Sequence, residues 1–124
     1  MVTTTEPAQL LKECNAWRET LRTYRDEFNR LKHHLQQQAG KHTGKDELLQ
    51  VEHIDNQLHI QLINIHDLKH SIKNHERKLE NEMQQTGRIL EETFAQHEAL
   101  YDEYQRLDHT LQELRAEYVD FQRG

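Results

Sequence analysis

The chain has 124 residues, 34% of them apolar and 31% charged, with a net charge of −6 and a mean hydropathy of −1.08. That suffices for one domain, residues 1–124, but is too polar for a thick globular core, which leaves either disorder or long helices that each bury one stripe. No apolar run approaches the roughly 20 residues that span a bilayer. Charge runs from +1 over residues 1–39 to −2 over 40–86 and −5 over 87–124, which argues against phosphate backbones and anionic membranes as partners.

The first helix is expected over 7–39. Thr4 or Thr5 is placed to cap it, and Pro7 suits its first turn. Its apolar residues recur at threes and fours: Leu10, Cys14, Trp17, Leu21, Tyr24, Phe28, Leu31, Leu35. A repeat of about 3.5 residues keeps one stripe turned toward a neighbouring helix. Its basic side chains (Lys12, Arg18, Arg22, Arg25, Arg30, Lys32) are expected to be ordinary solvated flanks that face the acidic last segment. Gly40 is expected to close the helix in the left-handed conformation, and Thr43 to Asp46 has capping-box spacing for the next one.

The second helix is expected over 46–85. With Leu48 labelled a, the a and d rows run without interruption to Phe121. A continuous helix over those 74 residues would be about 110 Å long, and an oligomeric coiled coil containing it is the alternative architecture. A break is favoured at Gly87, the one glycine between 45 and 123, which lies in the polar stretch Glu80 to Arg88. The third helix then covers 88–122, and the fold is an all-α, up-down-up antiparallel three-helix bundle. Three segments of similar length with Trp17 midway along the first resemble a spectrin-type repeat in architecture.

The a row of the second helix holds Asp55, Lys69 and Glu76, and the core rows of the third hold Thr93 and His97. These point into the seam and must reach its edge or find partners there. Their expected role is to fix register. An acid–base pair of Glu76 and His97 is the functional alternative. A second row on the b and f positions, Leu49, His53, Asn56, Ile60, Ile63, Asp67 and His70, lies away from the seam. Its apolar members mark a partner face made of Leu49, His53, Ile60, Ile63 and His70, while Ile54 and Leu68 can be taken up by the broad inward side.

Ten histidines raise the question of metal. His66 and His70 lie one turn apart and His59 one heptad earlier, which is spacing that can share an ion, but no Glu-x-x-His accompanies them. Cys14 reads as a small buried hydrophobe without a histidine at helical spacing, and its solitude gives no sign of an oxidising compartment. There is no phosphate loop, no Gly-x-Ser-x-Gly, and no pocket is expected in a thin bundle. With no leader sequence in Met1 to Gln9, the chain reads as a cytoplasmic, non-enzymatic module that binds no cofactor. It is expected to bind protein, either a second copy in a homo-oligomer or the helix of a client as a small export chaperone does. A histidine-rich metal-binding bundle is the third reading.

Overall fold

The computed structural model describes residues 6–41 and 44–124, so the proposed caps at Thr4, Thr5 and Thr43 lie outside the described residues. Three helices, α1 (Pro7–Ala39), α2 (Lys45–Thr86) and α3 (Glu91–Arg123), pack side by side as an all-α bundle. Among the described residues no helix is long and apolar enough to cross a membrane.

Pro7 occupies the start of α1, where its missing N–H costs nothing. Gly40 departs from expectation: its φ of −70° is right-handed, and the Lys41 amide that follows it bonds back to the Gln38 carbonyl at 2.9 Å as a tightened last turn. Gly87 behaves as expected, with φ of +73° and its amide on the Met83 carbonyl, so α2 ends in the left-handed conformation that glycine adopts at least cost. This reversal rules out the continuous-helix alternative.

The turn is held by α2 itself. Glu82 accepts the Leu90 amide at 2.9 Å and the Thr93 hydroxyl at 2.5 Å, filling the role of a cap at the start of α3. Burial opposes ionisation of Glu82, but the bonds from Thr93 and Leu90, with Lys78 and His75 nearby, outweigh it and hold the carboxyl below its usual range. Negative charge here also suits the positive end of the α3 dipole.

The core contains the α1 stripe as expected, with Leu10, Cys14, Leu21, Phe28 and Leu35 fully enclosed. In α2 the buried residues are Val51, Ile54, Leu58, Gln61, Ile65, Leu68, Ile72, His75 and Leu79. These are the d and g rows, not a and d. The helix is rotated by about 50° from the predicted seam at 100° per residue, which explains why Leu48 and Met83 are left substantially exposed. The cause is its middle position: d residues point inward, g residues meet α3, and a residues run along the flank of α1. Asp55, Lys69 and Glu76 therefore lie half-buried at an edge instead of inside the seam. Lys32 reaches Asp55 at 2.8 Å and Arg18 forks onto Glu76. Lys69 loses basicity through burial and through the cations Arg25, Arg22 and Arg18.

Of the α1 cations, Arg18 and Lys32 thus pair with α2, and Arg22 and Arg25 with their own helix, not with α3 as expected. The ion pair joining α1 to α3 runs the other way, from Arg115 to Glu27 at 2.5 and 2.6 Å, with the guanidinium 5.2 Å from the Tyr24 ring. These two helices are parallel and nearly level. Glu13 meets His97, Tyr24 meets Asp108, His34 meets Tyr118 and Gln38 meets Gln122, each pair 84 residues apart.

A Cβ at residue 87 would touch nothing within 4 Å, so the cost of Gly87→Ala is that of the left-handed backbone alone. We expect it to lower unfolding free energy by about 1 kcal/mol, measured by urea titration. No change would mean that the reversal does not need glycine.

Candidate functional site

At the level where α2 turns into α3, three helices bring polar side chains into the core. Cys14 comes from α1, His75 from α2 and His97 from α3; Cys14 and His97 are fully buried and His75 is 6% exposed. His75 Nε2 lies 3.0 Å from His97 Nδ1, and Cys14 Sγ lies 3.8 Å from the same nitrogen. The other nitrogen of His97, Nε2, donates to the Glu13 carboxylate at 2.8 Å. Trp17 covers the His97 ring, their centroids 4.8 Å apart, and stacks further on Tyr101 and Tyr104. His97 is thereby fixed in position: its Nε2–H is given to the Glu13 carboxylate, and its Nδ1 faces His75 Nε2.

The surroundings decide the charges. Burial, followed by the charges of Glu76 and Glu13, pushes the Cys14 thiol up to about 12, so it is protonated. Burial, followed by His97 and Lys78, lowers His75 to about 4 and keeps it neutral. Among the described residues no buried side-chain nitrogen or oxygen lacks a hydrogen-bond partner.

Sequence reasoning found only part of this. Thr93 and His97 are buried, as their core rows implied. Glu76 and His97 are not paired, since Glu76 belongs to Arg18 and His97 to Glu13. Cys14, read as having no histidine beside it, has two. His75 was overlooked because it sits on the g row. His59, His66 and His70 are all exposed, and the one trio of His, Cys or carboxylate donors that converges among the described residues is Cys14, His75 and His97.

The row expected to form a partner face is exposed. Leu49 is 55% exposed, Ile60 38% and Ile63 47%, with His53 and His70 exposed in the same row. At one end of the row His53 Nε2 approaches the Glu117 carboxylate of α3 at 3.2 Å. Ile54 and Leu68 are buried, taken up by the core as expected. Contrary to the expectation of no concavity, a cleft of about 760 Å3 opens between the start of α2 and the end of α3, lined by Glu47, Glu113, Glu117, Asp120 and Phe121.

Compared with known proteins, the chain matches no family model, no curated protein and no solved structure.

Because the folded site holds His75 in its neutral form, its contribution to stability is complete above the ordinary imidazole value of 6.5 and drains away as pH falls toward about 4. We expect the protein to lose on the order of 3 kcal/mol between pH 7 and pH 4 from this group. Urea titrations of wild type and His75→Leu across that range check it, with the variant losing less. Equal losses would remove His75 as the source.

Proposed function

We propose that this chain is a non-enzymatic interaction module that pairs with a second copy of itself through the outer face of α2. The observation that carries the reading is the two-fold arrangement of that face. About a centre between Ile60 and Ile63, the row reads symmetrically outward: Ile60 with Ile63, Asn56 with Asp67, His53 with His70. An antiparallel copy laid along α2 sets Ile60 against the partner's Ile63 and Asn56 against the partner's Asp67, so that an apolar centre is flanked by polar pairs. This is the self-complementarity that an isologous contact requires.

The energetics set its strength. Full burial of an isoleucine is worth about 1.5–3 kcal/mol, and these two are already about half covered in each chain. Four half-exposed side chains give roughly 3–6 kcal/mol before the cost of association is met. The pairing is therefore weak and concentration-dependent, as suits a reversible scaffold.

Light scattering over a concentration series tests this. Wild type is expected to rise toward twice the chain mass of 15.0 kDa, and the double variant Ile60→Lys/Ile63→Lys to stay at the single-chain mass with helicity and melting temperature retained. A wild type that remains monomeric throughout, or a variant that still doubles, overturns the reading. Loss of stability without change in mass would assign the two isoleucines to the fold.

A further inference from the structure

The cluster of Cys14, His75 and His97 joins one donor from each helix, and all three donor atoms lie within 4.8 Å of one another. Two of them converge on a single lone pair, since Cys14 Sγ and His75 Nε2 both approach His97 Nδ1, at 3.8 and 3.0 Å. One lone pair satisfies one donor well, whereas an ion at the centre of converging donors engages all three. A tetrahedral zinc-type ion has metal–sulfur distances of about 2.3 Å and metal–nitrogen distances of about 2.0–2.1 Å. That sets sulfur about 3.5 Å from nitrogen and the two nitrogens about 3.3 Å apart. Shifts of a few tenths of an ångström convert the two separations at His97 Nδ1 into these, and Cys14 Sγ and His75 Nε2, which lie within 4.8 Å, close toward each other by up to about 1.3 Å.

We propose that Cys14, His75 and His97 bind one zinc-class divalent ion, with Glu13 holding His97 from outside the ligand set. The donors choose the ion. A thiolate with two imidazoles suits zinc or cobalt(II) and offers nothing to magnesium or calcium, which take oxygen ligands. His97 already holds the tautomer that ligation by Nδ1 needs, because Glu13 accepts its Nε2–H, the carboxylate–histidine arrangement that orients such ligands. Trp17 fixes the ring plane. On binding, the Cys14 thiol proton leaves to solvent and the His75 ring proton moves from Nε2 to Nδ1, so one proton is released per ion. The two charges of the ion are met by the Cys14 thiolate and the Glu13 carboxylate, which leaves no net charge in the core. The fourth position of the tetrahedron is left to a water.

This site is independent of the α2 face: it lies inside the bundle and its test does not involve association. The experiment is a titration of full-length, untagged, chelator-stripped protein with cobalt(II), followed by displacement with zinc. Expected are the intense d–d bands of tetrahedral cobalt and a thiolate-to-cobalt charge-transfer band. Both should saturate at one ion per chain and be lost to zinc. Cys14→Ser should abolish the charge-transfer band, His75→Gln should weaken binding at least tenfold, and Glu13→Gln should weaken it about 10–100-fold. His66→Gln should leave binding unchanged. A folded wild type that shows no thiolate band, or binding that survives Cys14→Ser but is lost when His59, His66 and His70 are replaced together, overturns the proposal. The wild-type spectrum alone decides the matter should a variant fail to fold.

Discussion

The reversal at Gly87 is the constraint on which the rest of the molecule depends. On an unbroken helix, residues 75 and 97 would be about 33 Å apart along the axis. In the folded chain their rings share a hydrogen bond of 3.0 Å. The left-handed glycine begins the turn, and Glu82 completes it by taking both the amide of Leu90, just before α3, and the Thr93 hydroxyl. Everything that α3 contributes, including His97, Tyr118 and Arg115, reaches α1 because the turn sets its level.

Once α3 has returned, α1 and α3 run parallel with a constant offset of 84 residues, which is twelve heptads. That coincidence of period lets a polar layer at one level repeat at the next. Glu13 with His97, Tyr24 with Asp108, Glu27 with Arg115 and His34 with Tyr118 form a ladder of side-chain bonds. A slip of one helical turn would leave several half-buried polar groups without partners, and each costs more than its bond is worth when made. The ladder thus specifies level and direction, while the apolar stripes supply most of the stability. On the other side, Arg18 with Glu76 and Lys32 with Asp55 do the same for α1 against the antiparallel α2.

Much of this was legible in the residues. A 3.5-residue repeat marks the helices and the inward stripe of α1, and Gly87 within a polar stretch marks the turn. The rotation of α2 was not legible, because its g row (Ile54, Leu68) is as apolar as its a row (Leu48, Leu62), and periodicity cannot choose between adjacent rows. The neighbours on each side choose, and they become known only when the bundle closes. The Cys14–His75–His97 cluster was hidden for the same reason. Its members are far apart in sequence and share no helical spacing, so no local motif announces them. The signal that was available is indirect: Cys14 and His97 lie on core rows, and a hairpin at Gly87 brings His75 level with His97.

The most direct measurement is a distance between spin labels at Ser71 on α2 and Glu103 on α3, both exposed and both beside the seam of the two helices. Labelled chains are diluted into unlabelled protein so that only intramolecular distances register. A hairpin with helix axes about 8–10 Å apart gives a short separation dominated by the label tethers. A separation near 48 Å, the length of 32 residues of uninterrupted helix at about 1.5 Å each, would contradict the account.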